Sequence, residues 1–324
     1  MTQLRARCGR IPSKKRELAV PFLDSDVRPS LYGADVADAD AHEIPCAVAL
    51  RTPSDPCQRP FCGGVLISPR HVLTAAHCFH NTHRVEVCGF VRPTQSAGAT
   101  SKVFHYGSSD TCQAPSTTAR CLHMHAHYAT DGVSVPSGSP GLDWTLFACN
   151  GDLAIAELSA DLQLSASVAP ACLPDADYDV DNGTLLTFGW GLRSDDRRAL
   201  RKVQVGTRHD CDFSKLPKLL GNNDKAKRLK QATEDKICVD ASTNGMCQGD
   251  SGSGLLRFSD QRTRVVGVLA QAVDCARVEA CLRSGPPPNR PATCDDDPPR
   301  ALFTDVRRYL RWICDVSGVC PASP

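Results

Sequence analysis

A chain of 324 residues is long enough to bury a substantial core, either as one large domain or as two compact halves. Its 37 basic and 36 acidic side chains nearly cancel, so no overall field draws it to nucleic acid or to a charged membrane surface. No apolar run is long enough to span a bilayer, and the sequence predicts neither a membrane nor a nucleic-acid partner.

The first 30 residues carry a basic cluster (Arg5, Arg7, Arg10, Lys14, Lys15 and Arg16) and one short apolar scrap, "LAVPFL". The cluster reads as a solvated tail, and the scrap falls far short of a signal-peptide core. The 18 cysteines point elsewhere: they run from Cys8 to Cys320 without the repeated CxxC pairs of a zinc ribbon. So many thiols predict a disulfide-rich protein folded in an oxidising compartment, secreted or extracytoplasmic, although no signal peptide is visible.

Beyond the tail, short apolar runs bounded by Gly, Pro, Asn or Asp recur in chain order: "CAVAL", "GGVLIS", "RVEVCGF", "GTLLTFGW" and "RVVGVLA". These are strand signals, and they predict an all-β chain rather than βαβ units. Between them lie stretches rich in Gly, Pro, Ser and Asp, the longest spanning 92–121 and 281–299, which read as surface loops. One helix is predicted, in "DVRRYLRWICDV" at 305–316, where Val306, Leu310 and Ile313 share a face. "LHMHAH" sets His123, His125 and His127 at alternate positions, a geometry that on a strand suits zinc or copper. "CDDDPP" offers three adjacent acids, which cannot all reach one cation, and reads as a solvated loop. The reading adopted for both is structural, with no metal and no cofactor.

"NGMCQGDSGSGLL" places Ser251 between glycines and after Asp250. An alkyl hydroxyl is a poor nucleophile unless a base takes its proton, and that base works best when a carboxylate orients it. Two other segments supply such groups. His77 ends the small-residue run "LTAAHC", with Cys62 and Cys78 placed to staple its segment. Asp152 opens the apolar run "GDLAIAEL", where an acid has no packing role.

Taken in order, "LTAAHC", "GDLAIAEL" and "CQGDSGSG" resemble the chymotrypsin-like (trypsin family) serine endopeptidases. "IPCAVAL", "APACLP", "FGWG" and "LFTDVRRYLRWI" extend the resemblance from about Leu31 to the final helix. It implies two packed antiparallel β-barrels with a C-terminal α-helix and an active site in the cleft between the barrels. Residues 1–30 would be a tail or prosegment. The protease domain would cover 31–318, with barrels at about 31–165 and 170–318. The implied roles are Ser251 as nucleophile, His77 as general base and acid, and Asp152 as the group that orients His77. The backbone N–H groups of Gly249 and Ser251 would form the oxyanion hole. Implied disulfides are Cys62–Cys78, Cys211–Cys238 and Cys247–Cys275, with Cys8 the best partner for Cys172. Ten further cysteines fall outside that pattern, and among them Cys281 and Cys294 are expected to bond to each other.

The same resemblance places Gly245 at the base of the specificity pocket, Met246 beside it, and Ala272 and Ala301 on its walls. With no acid at the base, a substrate Arg or Lys would be buried without a countercharge. The expectation is cleavage after small or medium uncharged residues. "Ala270-Gln271-Ala272" stands where the family usually has Ser-Trp-Gly, which removes a hydrogen bond to the triad acid worth roughly 0.5–1.5 kcal/mol. Activation would free Leu31 by a cut after Ser30, and the new ammonium would pair with Asp250. Because Ser30 is itself small, self-activation is one route, and a separate activator is the other. The partners implied are protein or peptide substrates and proteinaceous inhibitors. The alternative is a catalytically weak, protease-like binding protein that uses the cleft or its insertions for recognition.

Overall fold

The computed structural model describes Cys8, Cys112 and residues 36–51, 60–79, 103–110, 114–124, 133–135, 146–148, 150–181, 184–191, 199–207, 233–241, 246–272 and 300–321. The strand signals at 46–50, 63–68, 183–190 and 264–270 all fall on strands. The signal at 84–90 lies outside the described residues, as do His125, His127 and the 281–299 loop.

The N-terminal half is a closed barrel. β2 (Ala47–Arg51), β3 (Cys62–Ser68), β4 (His71–Thr74), β9 (Ala154–Leu158), β6 (Ser116–Met124) and β5 (Val103–Tyr106) follow one another around it. Closure comes from β2, whose Leu50 faces Cys62 of β3 on one side and Phe104 of β5 on the other. A closed ring leaves no unpaired edge, so every backbone donor in the strands can find an acceptor. Leu50, Val65, Leu73, Phe104, Leu122 and Ile155 are fully buried in this half.

The C-terminal half is a seven-stranded antiparallel sheet that also recruits a strand from the start of the described chain. Its order is β1 (Ala37–Asp38), β11 (Arg201–Val205), β10 (Leu185–Gly189), β13 (Gly254–Ser259), β14 (Arg262–Gln271), β15 (Arg300–Asp305) and β12 (Lys236–Asp240). The sheet curls back on itself. Thr207, just beyond β11, bridges Val239 of the far edge strand, and Asp240 N–H donates to Gly206 O at 3.1 Å. The β13–β14 hairpin turns on Asp260 and Gln261, both with positive φ (51° and 60°), the twist a tight two-residue turn demands. A separate hairpin, β7 (Val133–Val135) with β8 (Leu146–Ala148), is inserted just before Asp152.

Two features lock the halves together. One apolar cluster runs through both, with Val65, Leu66 and Leu73 of the barrel packed with Leu186, Phe188, Val265 and Val268 of the sheet. The connecting segment then stitches them: Ala171 N–H donates to Leu66 O at 2.8 Å, while Cys172 exchanges hydrogen bonds with Thr263 and Val265 of β14 at 2.9 and 3.0 Å.

The predicted helix divides in two. A 3-10 turn covers Val306–Tyr309 and α1 covers Leu310–Ser317, with Val306, Leu310 and Ile313 buried as their spacing requires. Asp305 caps the turn by accepting Arg307 N–H at 3.0 Å, and Arg307 also folds its guanidinium back onto the same carboxylate. Gly318, at φ 70°, ends α1 in the left-handed conformation glycine tolerates best.

Cys62–Cys78 and Cys8–Cys172 are bonded as expected. Cys314–Cys320, which closes the chain end over α1, is an additional disulfide that the sequence reading does not assign. Cys238 and Cys247 are also disulfide-bonded, and their expected partners Cys211 and Cys275 lie outside the described residues. Cys46 is a free thiol. Burial pushes its pKa up to about 12, so it behaves as a small core hydrophobe rather than a nucleophile.

Candidate active site

The two-barrel fold brings the three chemistry-bearing segments to the seam between its halves. His77 lies in the 3-10 turn Ala76–Phe79 directly after β4, and Cys62–Cys78 ties that turn back to β3. Ala75 and Ala76 are fully buried there, which explains the small residues in "LTAAHC". Asp152 precedes β9 and follows Gly151, whose φ of 63° turns the chain inward. β4 and β9 are neighbours, with Thr74 opposite Ala154, so His77 and Asp152 emerge side by side.

Their contact has two points. Asp152 Oδ1 accepts His77 N–H at 2.9 Å, and Oδ2 lies 2.7 Å from His77 Nδ1. A carboxylate there assigns the Nδ1 proton, which leaves Nε2 with its lone pair. Asp152 is almost wholly buried, whereas His77 keeps a quarter of its side chain exposed. Burial pulls the imidazole's pKa down, but the charge and hydrogen bond of Asp152 outweigh it, and a smaller opposing effect of Lys236 leaves the net shift upward. For Asp152, burial works against ionisation. His77 and Lys236 overcome it and hold the carboxyl below its ordinary range.

Ser251 occupies a tight turn between Cys247 and β13. Gly249 and Gly252 both have positive φ (98° and 83°), a conformation that costs other residues dearly. Gly252 is required sterically as well, because a Cβ there would run into Gly63 O and the Thr74 hydroxyl. The turn is thus pressed against β3 and β4, with Gly63 N–H donating to Ser251 O at 2.6 Å. Ser251 O also lies 3.8 Å from Cys78 Sγ, beside the residue that follows His77. Cys62, His77 and Cys78 cluster closely enough to suggest a metal site, but both sulfurs are spent in the disulfide.

Asp250, next to Ser251, is fully buried. Its carboxylate accepts Gly191 N–H and Cys247 N–H, each at 2.8 Å. Gly189 and Gly191 leave it room, since a Cβ at either would strike the carboxyl group. No side-chain cation among the described residues contacts it. Burial pushes its pKa up to about 7 despite the opposing backbone hydrogen bonds.

Of the residues expected to form the specificity pocket, Met246 and Ala301 are fully buried and share an apolar cluster with Val239, Leu269 and Phe303. Ala272 packs against that cluster from a partly exposed position. Ala301 on β15 faces Val239 on β12. Gly245 and Leu31 lie outside the described residues. His123 is on β6 with Nε2 3.8 Å from Glu157 Oε2; burial first, offset in part by Glu157, lowers its pKa. One group beside the site has no sequence forewarning: Asp235, Lys236 and Tyr309, linked to the Asn150–Asp152 turn.

This fold and this constellation define a serine peptidase of the two-barrel type. The chain matches the family model described as Trypsin over residues 35–281, more than half its length, and it belongs to the trypsin family of serine endopeptidases. It is similar to Brachyurin of Leptuca pugilator, with 27% identity over 267 residues that cover 81% of this chain and 89% of that protein.

Proposed function

We propose that this serine endopeptidase is secreted, works through an acyl-enzyme, and cuts after small or medium uncharged residues. The observation that carries the reading is the buried Asp152 carboxylate, which grips His77 at two points beside the Ser251 turn. His77 Nε2 takes the Ser251 proton as Oγ attacks the substrate carbonyl. The resulting oxyanion is met by the Gly249 and Ser251 N–H groups, and Gly249's positive φ supports that aim. Collapse expels the amine, which leaves with the proton from His77. Water, deprotonated by the same imidazole, then hydrolyses the ester and returns Ser251.

A fluorophosphonate, which phosphonylates only activated serines, tests this reading when mass spectrometry locates the label and Ser251→Ala serves as the blank. Label on Ser251 is the expected result. An unlabelled Ser251 in both the full-length and the processed protein would leave the binding-protein alternative.

The specificity reading is supported by the apolar cluster that Met246 and Ala301 join and that Ala272 packs against. A wall residue one methyl larger than glycine narrows the slot. Ala301→Gly is therefore expected to raise the kcat/KM ratio of a Phe-site peptide over an Ala-site peptide by about ten-fold. An unchanged ratio removes Ala301 from the pocket.

In this reading residues 1–30 are a prosegment and 31–318 the protease unit. Cutting at Ser30–Leu31 frees an ammonium for Asp250, while Cys8–Cys172 keeps the prosegment attached. N-terminal sequencing of the active form is expected to show Leu31 beside the original start. Normal processing of Ser251→Ala expressed alone would assign the cut to a separate protease. Substrates are proteins or peptides, and proteinaceous inhibitors are the other expected partners.

A further inference from the structure

Both described hydrogen bonds to the Asp152 carboxylate come from one residue, His77, through its backbone N–H and its ring. Position 270, on β14, is alanine and offers no side-chain donor. A buried carboxylate served from one side only leaves its backbone and its charge to be steadied by something else.

That something lies at the start of β12. The Lys236 side chain is 2% exposed, and its Nζ sits 2.7 Å from Asp235 Oδ1. The other Asp235 oxygen accepts Gly151 N–H at 2.9 Å and the Tyr309 hydroxyl at 2.6 Å. Tyr309 Oη is also 3.3 Å from Asn150 Oδ1. Lys236 faces Thr304 across β12 and β15, and the Thr304 hydroxyl donates to Asp152 O at 3.5 Å. Thus a buried lysine–aspartate–tyrosine group holds the Gly151 backbone N–H and the Asn150 side chain, and its cation lies close enough to Asp152 to favour that carboxylate's charged form. Burying an ammonium is costly unless its charge is used, and a neutral residue fits an apolar strand start at lower cost.

We propose that Lys236 is a positioning residue of the active site, a buried cation that balances the Asp152 charge and, through Asp235 and Tyr309, fixes the turn carrying it. The inference rests on the proposed catalytic role of His77 and Asp152. Among the described residues, the charged and titratable groups around it include His77 on the 76–79 turn, Asp152, Asp235 on the approach to β12, Tyr309 and the exposed Arg308 on the 306–309 turn. Burial and then Asp235 raise the Tyr309 pKa, so its hydroxyl stays a neutral donor. Lys236 favours the Asp152 anion and disfavours the His77 cation, so removing it lets His77 hold its proton to higher pH.

The test uses processed enzyme whose Ser251 has first been shown to take the fluorophosphonate. Lys236→Met is expected to lower kcat about ten-fold with KM little changed. It should also move the acid limb of kcat/KM upward by about half a pH unit. Lys236→Gln removes the charge but keeps a donor for Asp235, and it decides the case if the methionine variant does not fold. Adding Ala270→Ser, which supplies a hydroxyl on β14, is expected to restore part of the lost kcat. A labelled wild type with an unmoved acid limb in the folded variant overturns the role of Lys236 and leaves the triad reading standing. An unlabelled wild type overturns the triad reading itself.

Discussion

Asp152→Asn is expected to lower kcat about 10⁴-fold while leaving the fold and KM largely intact. The reason lies in how the carboxylate divides its two oxygens. Oδ1 accepts the His77 backbone N–H and Oδ2 accepts the ring Nδ1–H, at 2.9 and 2.7 Å. An asparagine has one oxygen and one NH₂. The backbone donor cannot change its character, so the amide oxygen goes there and the NH₂ faces the ring. Nδ1 must then be the acceptor and Nε2 carries the proton. The only nitrogen able to take the Ser251 proton is thereby blocked. The pH profile is a second readout. Asp152 holds the His77 pKa above its ordinary value against burial, so the wild-type acid limb is shifted upward from that value. In the variant that pull is gone, and the residual limb should move to lower pH. Steady-state kinetics on a small-residue peptide ester, with a urea midpoint to verify folding, checks both. A loss below ten-fold would remove Asp152 from the mechanism.

Much of the site was legible because its backbone makes demands that few residues meet. The turn around Ser251 needs glycine at 249 and 252, where φ is positive and, at 252, where a Cβ has no space. The turn before His77 needs the buried alanines 75 and 76. Such constraints leave their marks in short contiguous motifs. Strands β2, β3, β10 and β14 were readable as apolar runs between turn residues, whereas β5 and most of β6 fall within the 92–121 stretch that reads as a loop, because their Ser-, Thr- and His-containing segments form no apolar run. What depends on distant segments meeting was not readable. Lys236 stands in "EDKICVD", where a charged cluster before an apolar run reads as a solvated strand start. Only the pairing of β12 with β15 and the approach of Tyr309 to Asp235 make it part of a buried group whose charge reaches Asp152. Cys314–Cys320 was hidden in a similar way, because six residues of separation say nothing until Gly318 turns the chain back over α1. The pairing of β1 with β11 likewise joins segments too far apart in the chain for any local pattern to reveal.

The full-length protein is expected to lose stability as the pH rises from about 4 to about 7, and Asp250→Asn is expected to flatten that slope. Asp250 is fully buried among backbone amides, and its folded pKa is pushed from 3.8 up to about 7. Between those two values the folded state holds a proton that the unfolded chain has released, so raising the pH favours unfolding. The whole effect is about 4 kcal/mol, present as stability below the lower value and gone above the upper one. Asparagine does not titrate. It also turns an NH₂ toward one of the backbone donors, among them Gly191 and Cys247, so the variant should be less stable at low pH and lack the Asp250 part of the slope. Urea midpoints measured in a Ser251→Ala background, which prevents self-digestion, give the comparison directly. An unaltered slope in Asp250→Asn would place the titrating group elsewhere. The form cut at Ser30–Leu31 is expected to reverse the trend. An ammonium beside Asp250 favours the ionised carboxyl, so its folded pKa drops and its contribution persists at neutral pH, fading only as the pH falls through the lowered value.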